Sequence, residues 1–184
     1  MSGVSFQSLM SSTGVSVPWV DTYSVSLSFN SAGWGGYTLR QIIPSSLLST
    51  DGTTLQLFLR ASSTASCTID AIYIGLQAAS GDLYDMAASA PAPTQLFVGG
   101  SGTFTIGAGQ TINTDALVFA IDHTKTYIVS VHFSSGDILA ANSVTGSTAY
   151  NKAAVNEAAT ADVSGYATIA SSPARLVTKI QVHS

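Results

Sequence analysis

Three histidines, His123, His132 and His183, are the residues in this sequence best suited to general-base chemistry near neutral pH. Acyl transfer needs a hydroxyl or thiol nucleophile beside such a base, and a third group that orients the base. His123 lies in the turn-like Asp122-His123-Thr124, and His183 is the penultimate residue. His132 alternates with apolar neighbours, and the sequence contains no Gly-x-Ser-x-Gly motif. We therefore predict a non-enzymatic protein and keep an esterase only as a third alternative.

Two carboxylates, Asp82 and Asp85, lie three residues apart in a loop-like segment. Hard cations such as Ca²⁺ prefer carboxylate and carbonyl oxygens on loops, so these residues are candidate calcium ligands. A solvated loop is the alternative, and the sequence has no Asp-x-Asp-x-Asp-Gly pattern to favour calcium. Zinc is not expected, because one cysteine and three dispersed histidines give no ligand spacing. No other cofactor is expected.

Aromatic residues give the clue to ligand binding. Trp34 lies in the glycine-rich stretch Ala32–Tyr37, where an exposed ring can stack on a sugar or on a partner protein. The alternative is that Trp34 caps one end of the fold. Tyr37 and Tyr150 are further candidates for ligand or partner contact. Phe6 and Trp19 are predicted to anchor an N-terminal arm.

Two arginines, Arg40 and Arg60, lie inside predicted strands. An arginine among apolar strand positions usually pairs with a carboxylate, because an unpaired buried charge is costly. Asp70 and Asp115 are the candidate partners. We expect these ion pairs to stabilise the fold and to take no part in catalysis.

Charge is sparse, since 9% of the residues are charged and the formal net charge is −4. An average soluble domain carries about 25% charged residues. A surface of Ser, Thr, Asn, Gln and Gly suits self-assembly or contact with neutral sugars. Six scattered basic residues argue against nucleic-acid binding, which needs a basic cluster. No apolar run approaches a membrane span, and the N-terminal segment does not read as a signal peptide.

Alternating apolar residues predict the elements that must position these side chains. In Thr22–Phe29 every second residue is apolar, and the same period of two recurs in Thr54–Arg60 and Thr126–Phe133. Further strand candidates are Tyr37–Ile43, Cys67–Ile74, Gln95–Val98, Gly102–Ile106, Ala116–Ala120, Ser147–Ala153, Gly165–Ile169 and Arg175–Val182. About ten short strands separated by glycine-rich turns predict an all-β antiparallel β-sandwich, specifically a jelly roll.

Two units follow from this pattern. Residues 1–20 are a serine-rich N-terminal arm, and residues 21–184 are the jelly-roll domain. The lone Cys67 is predicted to be a buried core residue. Residues 153–161 are rich in alanine but lack an apolar stripe, so they are predicted to form a loop with at most one helical turn.

A succession of strand-and-turn motifs covers most of the chain, from Tyr37-Thr38-Leu39-Arg40-Gln41-Ile42-Ile43 to Val177-Thr178-Lys179-Ile180-Gln181-Val182. Between these two lie Leu55–Arg60, Thr68–Gly75, Leu96–Gly100, Thr105–Gly109, Thr114-Asp115 and Tyr127–Phe133. The succession resembles the jelly-roll domain that precedes the catalytic domain of some bacterial SGNH/GDSL-type hydrolases. It also resembles stand-alone β-sandwich proteins encoded in phage structural gene clusters. The hydrolases carry a Gly-Asp-Ser block, whereas Gly81-Asp82-Leu83 lacks the serine, so the resemblance implies the non-catalytic module alone.

The leading functional interpretation is therefore a bacteriophage virion protein, such as a capsid decoration, head fibre or tail-associated protein. Its expected partners are other virion proteins, copies of itself and cell-surface carbohydrate, with no nucleic acid and no membrane. Outer loops such as 31–36 and 140–148 are expected to face the environment. Its expected location is the virion, assembled in the bacterial host cytoplasm. A free carbohydrate-binding module or lectin is the alternative.

Overall fold

The computed structural model describes residues 17–89, 91–136, 138–171 and 173–184, and these form an all-β fold. The alternating runs of the sequence become extended strands because one side of each run packs on a common core. The strands are β1 Val20–Ser24, β2 Phe29–Ala32, β3 Tyr37–Ile43, β4 Gly52–Arg60, β5 Cys67–Leu76, β6 Thr94–Gln95, β7 Phe104–Ile106, β8 Thr111–Asn113, β9 Leu117–Ile121, β10 Tyr127–Gly136, β11 Ile138–Asn142, β12 Thr148–Ala153, β13 Ala167–Thr168, β14 Ala174–Arg175 and β15 Val177–His183. One 3₁₀ turn, Ser45–Leu47, precedes β4.

The strands pair into three antiparallel sheets. Sheet 1 has the order β1-β15-β4-β8, and β9 also pairs with β4. Sheet 2 has the order β13-β12-β3-β10-β5-β6, and β7 also pairs with β5. Sheet 3 is the small set β14-β11-β2.

The main core lies between sheets 1 and 2. Leu55, Leu57 and Leu59 of β4 are 0% exposed and belong to the same apolar cluster as Val129 and Phe133 of β10. Burial of each aliphatic side chain of this size contributes about 1.5–3 kcal/mol to the free energy of folding. The predicted all-β antiparallel sandwich is confirmed, while its finer designation as a jelly roll stays a prediction.

The first predicted strand, Thr22–Phe29, is wrong in its extent. The chain forms β1 against β15, leaves the strand conformation, and then forms β2 against β11 of sheet 3. This change of sheet breaks the period of two, so Tyr23 is 1% exposed whereas Phe29 is 58% exposed. The β1 strand begins at Val20, one residue inside the range predicted as arm.

The predicted outer loop 140–148 is also wrong in part. Its first residues belong to β11, where Ala140 and Ala141 are buried. Alanine is depleted in strands, so the segment Ile138–Asn142 lacks an ordinary strand signal. Of the predicted loop 153–161, residues 154–161 are confirmed as a loop with a turn at Ala158-Ala159, whereas Ala153 ends β12. Cys67 is confirmed as a core residue at 1% exposure.

No helix long and apolar enough for a bilayer is found among the residues that the structure describes.

Candidate binding face

The aromatic residues predicted to contact a ligand do not form an exposed surface. Trp34 is 5% exposed, and its indole N–H donates to Ser31 Oγ at 3.1 Å. Its ring packs edge-on against Tyr37 and lies under the guanidinium of Arg175, 4.8 Å from the ring centroid. The prediction of an exposed sugar-stacking ring is therefore wrong. Trp34 instead belongs to the main apolar cluster, and the nearby Gly33 and Gly36 both have positive φ. Capping of one end of the sandwich, the alternative, stays a prediction.

Tyr150 is likewise buried, at 7% exposure, on the outer face of sheet 2. It packs on Tyr84, with ring centroids 5.0 Å apart, and Tyr84 packs on Tyr166 at the same distance. These rings belong to a second apolar cluster with Ile42 and Ile128 of the sheet. The loops on either side of Tyr84 and Tyr166 therefore cover the part of the outer face of sheet 2 that β3, β10 and β12 form.

Arg40 lies under this cover, fully buried and without the predicted ion pair. Its guanidinium donates to the backbone carbonyls of Tyr84 at 2.6 Å and Glu157 at 3.1 Å, and also to those of Thr160 and Ala161. Burial lowers the pKa of Arg40. The prediction that Arg40 pairs with a carboxylate is therefore wrong, because backbone carbonyls of the loops accept all these hydrogen bonds. Arg40 thereby ties two loops to the sheet.

Asp70 pairs with a histidine and not with an arginine. It is the extra residue of a β-bulge in β5, and its Oδ1 lies 2.6 Å from Nδ1 of His132. Ser130 lies two residues before His132 on the same strand, but its hydroxyl is 0% exposed and has no hydrogen-bond partner. The Asp–His pair thus has no nucleophile joined to it in the described part of the chain.

Asp115 and Arg60, the other predicted ion-pair residues, are also not paired with opposite charges. The Asp115 carboxylate accepts the backbone N–H groups of Gly99 and Gly100 at 2.9 and 2.7 Å. It therefore closes a turn in which both glycines have positive φ. The Arg60 guanidinium donates to Thr111 Oγ1 at 3.4 Å and has no carboxylate within 4 Å among the described residues.

Asp82 and Asp85, the candidate calcium ligands, hold their own loop. Asp85 is 4% exposed and accepts backbone N–H groups of Asp82 at 2.7 Å and Val163 at 3.1 Å. Asp82 accepts the Tyr84 hydroxyl at 2.7 Å. Both oxygens of Asp85 are therefore engaged by donors. Calcium binding at this loop stays a prediction.

Of the two residues predicted to anchor the arm, the structure describes Trp19 but not Phe6. Trp19 is half-buried and packs on His183 of β15, with ring centroids 5.5 Å apart. Phe6 lies outside the described residues. The anchoring role of both residues stays a prediction.

The outer face of sheet 1, here called the bare face, has no loop cover like that of sheet 2 among the residues that the structure describes. It consists of the outward side chains of β4 and β15, which alternate with buried core residues: Gln56, Phe58, Arg60, Lys179 and Gln181. None of these side chains belongs to any of the three apolar clusters found in the described residues. All five are half-buried, so the bare face is a sheet surface that the described loops leave partly accessible to another molecule.

A small polar network crosses one side of the bare face. The Lys179 ammonium lies 5.3 Å from the centroid of the Phe58 ring and 2.9 Å from Asp21 Oδ2. Gln181 donates to the other oxygen of Asp21 at 2.8 Å. The hydrogen bonds from Gln181 and then Lys179 lower the pKa of Asp21. The charges of Lys179 and Asp21 therefore neutralise each other on this side of the face. The charge of Arg60, at the far end, has no such partner among the described residues.

A cleft of about 350 Å³ opens at the Arg60 end of the bare face. Its lining combines one guanidinium, three hydroxyls and two aliphatic side chains: Val25, Ser26, Leu27, Arg60, Thr111 and Thr178. The wall formed by residues 25–27 is fixed in place, because Val25 N–H donates to the Thr178 carbonyl and Asn142 donates to the Ser26 carbonyl. These hydroxyls could not be recognised in the sequence, because they come from three separate segments with no common motif.

Asp51, Asp122 and His123 form an exposed cluster at the opposite end of β4. Their ligand atoms lie within 4.8 Å of one another. Asp51 Oδ1 accepts the backbone N–H of His123 and contacts its Nδ1, each at 2.8 Å. Asp122 accepts the backbone N–H and hydroxyl of Thr124, which lower the pKa of Asp122. These contacts are sufficient to explain the cluster as a turn.

The sequence of the chain matches no protein-family model and none of the curated proteins with which it was compared.

Proposed function

We propose that the chain is a non-enzymatic structural protein of a bacteriophage particle, and that it docks on the particle through the bare face. The resemblance of Tyr37–Val182 to phage β-sandwich proteins supports the class. The observation that carries the docking role is the asymmetry of the sandwich. Its own loops cover β3, β10 and β12 of sheet 2, whereas no described loop covers the half-buried outward side chains of β4 and β15 in sheet 1.

The composition of the bare face supports a protein contact. Phe58 gives an apolar centre, and its neighbour Lys179 is already neutralised by Asp21. Interface centres are depleted of net charge and enriched in aromatic residues. Docking on this face therefore carries a smaller desolvation cost than docking on a strongly charged surface.

Contact between copies of the chain is part of the proposal. Strand β9 pairs with β4 alone within the described ranges, which leaves its other edge without a strand partner. Val118 on this strand is 84% exposed. Exposed edge strands readily add a further strand. We propose that β9 pairs with a second copy in the assembled particle.

A second candidate function, carbohydrate binding, is favoured by the cleft beside Arg60. Its hydroxyls and guanidinium form a mostly polar lining that can hydrogen-bond a small polar ligand. The two functions are compatible, because a virion protein can dock through the centre of the bare face and bind a host-surface glycan at its end.

The proposed location in the virion is tested on phage particles released by the cells that carry this gene. Particles purified on a density gradient are digested for mass spectrometry and labelled with an antibody raised against the recombinant chain. The proposal expects peptides of the chain in the particle band and regular labelling by electron microscopy. A particle band free of the chain, with the protein confined to the soluble fraction, contradicts the proposal.

A further inference from the structure

We infer that the cleft beside Arg60 is a binding site for a saccharide that carries a carboxylate. This inference deepens the glycan contact included in the proposed function and rests on it for its biological setting. The site is named here by its six lining residues, given above, and called the Arg60 cleft.

The guanidinium is the first reason for an acidic ligand. Arg60 is half-buried and makes one long hydrogen bond, to Thr111 Oγ1 at 3.4 Å. Of the two other arginines placed in the described chain, Arg40 and Arg175 are buried and point away from solvent. A guanidinium presents a planar fork of donors that matches a carboxylate. Arg60 has no such acceptor among the described residues, so it is free to bind one from a ligand.

The hydroxyls are the reason for a saccharide. Thr111 Oγ1 accepts from Arg60 and keeps its own proton to donate. Thr178 Oγ1 donates to the Phe58 carbonyl at 3.1 Å and keeps its lone pairs to accept. Ser26 adds a hydroxyl from the wall formed by residues 25–27. Donors and acceptors on several sides match a ligand with several hydroxyl groups.

The volume of the cleft agrees with a single sugar ring. The cleft volume of about 350 Å³ lies at the small end of the range for ligand pockets. Leu27 is buried and Val25 half-buried in the wall, so the accessible lining of the cleft is mostly polar and suits the hydroxyl groups of a sugar. The net charge of −4 disfavours a dianion such as phosphate.

The test is a titration of the ¹⁵N-labelled full chain, followed by NMR. The probes are D-glucuronate, methyl β-D-glucopyranoside, acetate and inorganic phosphate. We expect saturable shifts with D-glucuronate at about millimolar affinity, confined to Arg60 Nε–H and the amides near Thr111 and Thr178. Equal binding of the neutral glucoside overturns the carboxylate requirement. Equal binding of acetate or phosphate overturns the saccharide requirement.

Two variants complete the test. Arg60→Gln removes the guanidinium and is expected to weaken D-glucuronate binding about tenfold or more. Lys125→Gln removes an exposed positive charge near the opposite end of β4 and is expected to leave binding unchanged. Equal affinity of the Arg60→Gln variant and the wild type overturns the inference. Absence of the chain from phage particles contradicts the proposed function instead, so the two failures remain distinguishable.

Discussion

The guanidinium of Arg40 lies 5.4 Å from the ring centroid of Tyr166, beneath the loops that cover sheet 2. Four loop carbonyls accept its hydrogen bonds. Burial raises the pKa of the Tyr166 hydroxyl to about 12, although the nearby Arg40 charge opposes this shift. This one side chain therefore holds together the cover that distinguishes sheet 2 from sheet 1.

Replacing Arg40 is expected to loosen this cover. The Arg40→Met variant leaves buried carbonyls without donors, so we expect a loss of about 3 kcal/mol in the free energy of unfolding. Urea unfolding followed by tryptophan fluorescence measures the loss. An unchanged unfolding midpoint contradicts the structural role assigned to Arg40.

Arg175 is the matched control for this change, because it is also a buried arginine on a strand. It donates through its side chain to one carbonyl, that of Ser171, and its Nε and Nη1 have no partner in the described structure. Burial lowers the pKa of Arg175 to about 10. We expect Arg175→Met to change the free energy of unfolding by no more than about 1 kcal/mol, because the lost contacts offset the relief of desolvation. Equal losses in the two variants contradict this comparison.

Acid is expected to weaken the turn held by Asp51. The His123 backbone N–H and then its imidazole lower the pKa of Asp51 below 3.8. A carboxyl group whose folded pKa is depressed contributes stability above its unfolded pKa and loses it as the pH falls through the folded value. We expect Asp51→Asn to be less stable than the wild type at pH 7, with the difference vanishing at strongly acidic pH. A difference that stays constant across pH-dependent thermal melts contradicts this assignment.

Cys67 is expected to be inert in the folded protein. It is 1% exposed, and burial raises the pKa of its thiol to about 11. Because the thiolate is the reactive form, a disulfide reagent at pH 8 should modify Cys67 only after denaturant is added. Rapid modification of the native chain contradicts the burial of this residue.

The alternating strands and the sandwich could be predicted from the sequence because a period of two depends on neighbouring residues alone. Leu55, Leu57 and Leu59 are examples, and all three are buried as predicted. The strand Ile138–Asn142 was missed, because its alanines carry no pattern and its burial depends on sheet 3.

The site residues could not be predicted so well. Arg40 was expected to need a carboxylate, yet distant loops supply carbonyls in its place. Asp70 was assigned to an arginine, and its true partner His132 became visible only with the strand register. The Arg60 cleft joins residues about 150 positions apart in sequence, such as Val25 and Thr178. Such long-range proximity leaves no local motif to recognise.

The most direct test of the account places a charge at the centre of the bare face. Phe58→Glu is compared with Leu83→Glu, which changes a residue that is 68% exposed on a loop near sheet 2. Each recombinant chain is mixed with particles produced without it, and the bound fraction is measured by co-sedimentation. We expect the Leu83→Glu variant to bind the particles like the wild type and the Phe58→Glu variant not to bind them. Equal binding of both variants, with both folded by circular dichroism, contradicts docking through the bare face.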